Sequence, residues 1–425
     1  MKPRGTRPPL PGGFRALVAA QFVSGLADNA LLIVGLAYLL ARGHPAWWAP
    51  LLKFAFTWSY VLLAPLAGGL SDAMPKGRLM GWMNALKLVG AALLGAGMHP
   101  VAAFALVGLG AAVYAPAKYG LVTETVAPAR LVQANGWIEV SMVLSVLLGT
   151  GLGGGLVALT PQHTGWLAPL HLALLLVLCL YALAALLNRW VPHSPARETL
   201  PRKLPGWQQW RSGWQRFGTS QRRLWRDPLG GLSLATTTLF WGAAAVMQFA
   251  VIHWADQVLG LPLSQAAYLQ ATVALGVIAG AALASRRGAL LAGVTLLPWG
   301  VVLGALLMTV AWVRDIAWAL PLLVSIGAVG GYLVVPMNAM LQYRGHRLLT
   351  PGRSIAVQGF NENLSVLLML ALYAGLLWLG MPVVTVMVGF GLTLALAMGV
   401  LIWLSRGLRR SQRSPLKPSR AMQSG

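Results

Sequence analysis

Asp28, Lys87, Lys118, Glu139 and Glu362 stand within or at the ends of long apolar runs, in a 425-residue chain with only 9 acidic residues. A carboxylate held in hydrocarbon costs ~2.5 to 3.5 kcal/mol even on the lenient insertion scale, so each needs a compensating role. Asn29 follows Asp28 directly, and Asn84 lies one turn before Lys87. Acids, ammonium groups and amides at similar depth read as a substrate or ion pathway.

The elements that carry these groups are membrane spans. The composition is 57% hydrophobic and 10% charged, which excludes an ordinary soluble domain. The 18 tryptophans fit a protein with two membrane–water interfaces. A helix needs ~20 apolar residues to cross ~30 Å of hydrocarbon. Twelve segments qualify, at residues 14–41, 47–70, 78–98, 100–120, 131–158, 166–190, 229–257, 265–285, 288–312, 316–343, 354–379 and 381–405. The first is too long for a signal h-region and reads as an uncleaved span. With these boundaries, 28 Lys and Arg fall on one side and two, Arg42 and Arg314, on the other, while Lys53 and Lys87 lie within spans. Basic loops mark the cytoplasmic side, so both termini are expected there. The excess of 32 basic over 9 acidic residues is thereby explained by orientation, without a nucleic-acid partner.

Depth now follows from spacing. Asp28 is fourteen residues into the first span, or ~20 Å at ~1.5 Å per residue, near the midplane. Lys87 comes nine residues after Arg78, which is ~13 Å in. Glu139 and Glu362 each follow a boundary arginine, Arg130 or Arg353, by nine positions. Lys118, at the cytoplasmic end of span 4, suits either snorkelling to the interface or substrate contact. Lys53 reads as snorkelling and Asp256 as solvated. Lys87 is placed either to pair with an acid or to meet substrate. The glycines at 149, 151, 153, 154 and 155, and at 276 and 280, read as close-packing positions.

The chain divides into a six-helix half (1–190), a basic cytoplasmic linker (191–228), a second six-helix half (229–408) and a basic tail (409–425). In the linker, Trp207, Trp210, Trp214, Phe217 and Leu224 recur at helical spacing among arginines, the pattern of an amphipathic helix lying on anionic lipid. The halves repeat one another: Asn135-Gly136-Trp137-Ile138-Glu139 corresponds to Gln358-Gly359-Phe360-Asn361-Glu362. Tyr114 and Pro116 are expected to end span 4 much as Tyr332 and Pro336 interrupt span 10. Asn135, Glu139, Gln358 and Glu362 are therefore gating or structural polar groups as readily as substrate contacts. Gly68-Gly69-Leu70-Ser71-Asp72 with Lys76-Gly77-Arg78 resembles the loop motif of the major facilitator superfamily, with Ala73 where an arginine is usual. Asp72 can pair there with a basic group or a helix end and hold one conformation closed, with Arg78 in the same motif. The resulting fold class is all-α, with twelve spans in two pseudo-symmetric halves of the major facilitator kind.

No Gly-x-Ser-x-Gly and no Gly-Lys pair occurs, no metal-ligand spacing is present, and no histidine is followed five positions later by Asp. Catalysis, an ATP-driven pump and a bound cofactor or metal are therefore not expected. Cys179 is the only cysteine, which rules out an intramolecular disulfide. An alternating-access carrier remains. With few polar groups at the midplane, it suits a ligand with a phosphate and a long apolar remainder better than a sugar or peptide.

The blocks Ala20-Gln21-Phe22, Asp28-Asn29-Ala30-Leu31-Leu32, Asn84-Ala85-Leu86-Lys87-Leu88 and Pro116-Ala117-Lys118-Tyr119-Gly120-Leu121 resemble the bacterial lysophospholipid transporters. So do Leu131-Val132-Gln133-Ala134-Asn135-Gly136 with Glu139, Val334-Val335-Pro336-Met337-Asn338-Ala339, and Ile355-Ala356-Val357-Gln358 with Glu362. The resemblance implies a flippase of the bacterial inner membrane. It would carry lysophosphatidylethanolamine and lysophosphatidylglycerol from outer to inner leaflet, for reacylation by a cytoplasmic acyltransferase and acyl-carrier-protein synthetase. It further implies Asp28 and Asn29 at the head group, Lys118 at the phosphate and Lys87 beside Asp28. After Phe240-Trp241-Gly242 the family carries an arginine where this chain has Gln248, which offers only neutral hydrogen bonds to substrate. The competing readings are a proton-coupled exporter of amphiphilic drugs and a membrane-bound lipid-modifying enzyme.

Overall fold

The computed structural model describes residues 10–43, 49–158, 168–192, 194–196, 206–261, 263–287 and 293–413. Its helices are α1 (Phe14–Ala41), α2 (Ala49–Ala73), α3 (Lys76–Gly95), α4 (Pro100–Thr125), α5 (Leu131–Ala158), α6 (Ala168–Leu187) and α7 (Gly206–Arg226). They continue as α8 (Pro228–Leu259), α9 (Leu263–Arg287), α10 (Gly293–Leu296), α11 (Pro298–Thr309), α12 (Ile316–Leu348), α13 (Pro351–Trp378) and α14 (Val383–Arg413). Helices dominate because a spanning segment must satisfy its backbone groups internally. Eleven segments among the described residues are long and apolar enough to cross a membrane, α10 and α11 forming one of them. The twelfth is α3, whose 20 residues include Lys76, Arg78 and Lys87 and which packs between α4 and α6. Twelve spans in two six-helix halves is the architecture read from the sequence.

Helix ends are set by local chemistry. Proline occupies the first turn of α4, α8 and α13, where its missing N–H costs nothing. Asp227 caps α8 through the Gly230 amide at 2.7 Å, and Asp315 caps α12 through the Ala317 amide at 2.9 Å. Two expectations about breaks fail. Pro116 lies inside α4 and Pro336 inside α12, and both helices run on, α4 to Thr125. A proline removes one backbone bond, and neighbouring helices in a bundle hold the segment helical across the gap.

Glycine permits the closest helix approaches. A Cβ on Gly280 would meet the Ala328 carbonyl, and one on Gly276 the Val324 carbonyl, so α9 and α12 touch backbone to backbone. Gly149 and Gly153 pack on Leu26 and Ala30 of α1. Gly151, Gly154 and Gly155 face open space, so only two members of that run, one helical turn apart, serve packing.

The helix α7 joins both halves. Phe217 and Leu224 are buried with Ala64 of α2, Leu234 of α8, Leu341 of α12 and Val357 of α13. Gln221 and Asn361 exchange hydrogen bonds of 2.8 and 3.0 Å. The apolar face that the sequence suggested for lipid is thus spent partly on the protein, because the ends of α2 and α13 present it a greasy floor. The side chain of Trp207, residues 197–205 of the linker and residues 414–425 of the tail lie outside the described residues.

The halves meet at their cytoplasmic ends. Gly68 of α2 and Gly352 of α13 approach so closely that a Cβ on either would strike the other helix. Asn135 of α5 and Gln342 of α12 exchange two buried hydrogen bonds of 2.8 Å. Gly136 packs on Ala281 and Ser285 of α9.

Candidate functional site

Above this seam lies a cavity of ≈ 310 Å³ whose polar lining comes from α1, α2, α3 and α4, with Ser145 of α5. Asp28 is its centre. Lys87 donates to Asp28 Oδ2 at 2.8 Å, and the Tyr181 hydroxyl donates to Oδ1 at 2.7 Å. Lys87 also reaches Ser24 Oγ at 3.1 Å, and Ser24 donates to Asn84 at 2.8 Å. The Lys87 side chain is 2% exposed and that of Asp28 19%, so the carboxylate is the member open to a ligand. An ion pair so placed adds little net stability, but losing one partner strands the other charge at ~3 to 5 kcal/mol. Lys87 therefore takes the pairing role among those the sequence allowed it.

Asn29 lines the same cavity with its amide nitrogen tied to the Gly25 carbonyl at 2.8 Å. Lys118 lies seven residues inside the end of α4 and is buried, so it does not snorkel. Its ammonium donates to Gln21 Oε1 at 2.6 Å and sits 4.2 Å from the centroid of the Tyr119 ring. Both partners are uncharged. Glu139 is buried within electrostatic reach of Lys118 but forms no ion pair within 4.0 Å of it. The Tyr114 hydroxyl, buried in the cavity wall, has no hydrogen-bond partner.

Lys53, assigned to the interface by the sequence, instead extends across the cavity. It donates to Gln248 Oε1 of α8 at 3.0 Å and lies 5.5 Å from the Phe249 ring. Gln248 is thus drawn to the site by a lysine of the opposite half. Tyr181 and Ser24 were missed as well, since nothing in the spacing of α6 or α1 distinguishes them from ordinary packing residues.

Phe56, Tyr60, Ala115, Lys118 and Met142 are shared with a second cavity of ≈ 260 Å³ between the halves. Its walls are mainly apolar and include Ala64, Ala112, Trp241 and Val366. Glu362 and Gln358 enter it, Gln358 donating to both Glu362 and Asn338 at 2.9 Å. The two cavities therefore adjoin at Lys118, the first carrying the charged groups Asp28, Lys53 and Lys87 and the second mainly apolar with Glu362 in its wall.

At the seam, Asp72 is fully buried and accepts from the amides of Gly352 at 2.9 Å and Arg353 at 3.2 Å. These are first-turn amides with no intrahelical acceptor, and Thr350 at the N-cap supplies no side-chain bond. Asp72 of one half thus caps a helix of the other. Lys76, at 3.9 Å from Asp72 and 2.8 Å from Glu124, is the basic group of the motif that participates. Arg78 is exposed and does not join it.

Comparison with known proteins agrees with this architecture. Residues 17–349 match the family model of the Major Facilitator Superfamily. The chain is 39% identical to "Lysophospholipid transporter LplT" of Enterobacter sp. (strain 638) over 400 residues, covering 93% of this chain and 96% of that one. The protein of the same name from Escherichia coli O1:K1 / APEC is 38% identical with the same coverage. Among solved structures, the transporter FucP in the outward conformation superposes with a TM-score of 0.73 at 14% identity, over 93% of this chain and 98% of that one. A bacterial homologue of the iron transporter ferroportin in its outward-facing state gives 0.69 at 17%, over 93% and 99%. At such identities the structures show the fold alone. With twelve spans, a cytoplasmic seam and near-full-length relatives, the chain belongs to the Major Facilitator Superfamily and, within it, to the lysophospholipid transporters.

Proposed function

We propose that the chain carries lysophospholipids, lysophosphatidylethanolamine and lysophosphatidylglycerol among them, from the outer to the inner leaflet of a bacterial inner membrane by alternating access. The carrying observation is the junction at Lys118 of a cavity bearing Asp28, Asn29 and Lys87 with an apolar one lined by Trp241 and Val366. A molecule with a charged head and one acyl chain matches both compartments at once. The head-group phosphate meets Lys118 and the unpartnered Tyr114 hydroxyl, and an ammonium meets the exposed edge of Asp28. Asn29 orients the head group beside it. The tail lies in the apolar compartment against Trp241.

Movement requires that the cytoplasmic seam part while the far side closes. Asp72 on the α13 amides and the Asn135–Gln342 pair hold the present state. Both are hydrogen bonds that water replaces when the halves swing. Glu139 acts behind them as a buried polar group, and Glu362 as a gating group on the wall of the second cavity. Product on the inner leaflet then becomes substrate for a cytoplasmic acyltransferase and acyl-carrier-protein synthetase.

The experiment supplies labelled lysophosphatidylethanolamine to spheroplasts with and without the protein. Uptake that depends on the protein and falls in Asp28→Asn and Lys118→Ala, at unchanged membrane abundance, supports the assignment. Extrusion of amphiphilic drugs without lysolipid uptake would favour an exporter.

A further inference from the structure

Lys53 is an ammonium group in the transport cavity whose described partners are all neutral. It lines the compartment with Asp28, Lys87 and Lys118, reaches Gln248 Oε1 at 3.0 Å, and has no carboxylate within 4.0 Å. Three ammonium groups therefore line a cavity that contains one carboxylate, and that carboxylate is already bonded to Lys87. Glu139 tempers Lys118 from behind the wall, and among the described residues no carboxylate does the same for Lys53.

Gln248 is twenty residues from the cytoplasmic start of α8, ~30 Å along the helix, and Lys118 is seven from the cytoplasmic end of α4, ~10 Å. Asp28 and Lys87 fall between them. The ammonium groups thus form a ladder from the far side inward, and Lys53 is its outermost rung.

We infer that Lys53 is the outer contact for the uncompensated charge of an anionic head group, the phosphate common to all lysophospholipids being left to Lys118, and so a specificity residue that makes the carrier favour lysophospholipids with a net anionic head group over zwitterionic ones. A zwitterionic head group leaves the surplus positive charge as it was, and its ammonium must approach a cavity that is already cationic. An anionic head group neutralises one unit of it. Lys53 can release Gln248 at small cost, because a neutral amide is a weaker partner than a head group of net negative charge. Gln248 then holds the lysine in readiness while the site is empty. This inference rests on the lysophospholipid reading and narrows its substrate class.

The test uses purified full-length protein in vesicles of uncharged lipid, with uptake of lysophosphatidylglycerol and lysophosphatidylethanolamine measured over a concentration series. The wild type should half-saturate at lower lysophosphatidylglycerol than lysophosphatidylethanolamine. Lys53→Gln should raise the half-saturating concentration of the anionic lipid about tenfold, the size of one charged hydrogen bond, and shift the zwitterionic one less than about twofold. Lys53→Arg should keep the preference, which guards against a folding defect. Equal shifts for both lipids, or a wild type without anionic preference, would overturn the inference while leaving the carrier reading intact. A wild type that moves neither lipid would instead remove the reading beneath it.

Discussion

Removing the Asp72 carboxylate should unlatch the cytoplasmic seam by a calculable amount. Asp72 supplies the N-cap that Thr350 does not, through Gly352 at 2.9 Å and Arg353 at 3.2 Å. Loss of an N-cap costs ~0.5 to 2 kcal/mol, and loss of a negative charge at a partly buried helix N-terminus up to ~2 kcal/mol. Taking ~2 to 3 kcal/mol for both, Asp72→Ala should raise the open population roughly 30- to 140-fold. Ala281 reports that opening, because it is fully buried at the seam opposite Gly136, on a contact that does not include Asp72. In a Cys179→Ala background, the rate at which a maleimide labels Ala281→Cys from the cytoplasmic side should rise by that factor. Adding Thr350→Asp restores a cap within α13 without rejoining the halves, so labelling should stay fast. A rate within threefold of the unaltered protein, or its return on adding Thr350→Asp, would refute the latch and leave Asp72 a mere helix stabiliser.

Other perturbations follow the same logic. Asp28→Asn should lower the unfolding temperature as well as abolish uptake, because Lys87 is left buried without its counter-charge at ~3 to 5 kcal/mol; Asp28→Asn with Lys87→Met should recover stability in a thermal melt but not uptake. Asn135→Leu or Gln342→Leu alone should speed labelling of the same reporter by orphaning one buried amide, at ~1 to 3 kcal/mol, whereas the double variant should be closer to wild type. Asp227 sits against Arg344, whose guanidinium Nε donates at 2.9 Å. Burial opposes ionisation there, but the Arg344 and Gly230 hydrogen bonds outweigh it and hold the carboxyl below its usual range. Its contribution is therefore complete above the unfolded value, ~4, and lost as pH falls through the folded one. Melting curves from pH 6 to 3 should show a drop that Asp227→Asn flattens; equal pH profiles would remove the pair from the account.

Span number and direction were legible because hydrocarbon makes every charge conspicuous; Asp28 and Lys87 stood out for the same reason, but their pairing was one of two roles that the spacing left open. Lys118 was legible as a candidate but not as a deep residue, since Pro116 suggests a helix end and the continued helix to Thr125 is stabilised by tertiary packing. Lys53 was misread for a related reason. Sequence distance from the interface sets how far a lysine must reach, but only the position of α8 shows that Gln248 is the nearer partner. Asp72 was foreseen at a helix end or a base, and it uses both; that the basic group is Lys76 and not Arg78 depends on which face of α3 turns inward. Asn135 and Gln358, equivalent by repeat, diverge because the first bonds across the seam to Gln342 and the second within its own half to Asn338.

Movement of a lysophospholipid between leaflets by this chain alone can be measured without cells. Purified protein in vesicles carrying a fluorescent lysophosphatidylethanolamine in the outer leaflet, with albumin added at intervals to extract what remains outside, measures that movement directly. The account predicts a protected, chemically unchanged fraction that grows with time only when the protein is present and is lost in Asp28→Asn. Complete extraction at every time point, or an altered lipid inside, would contradict it.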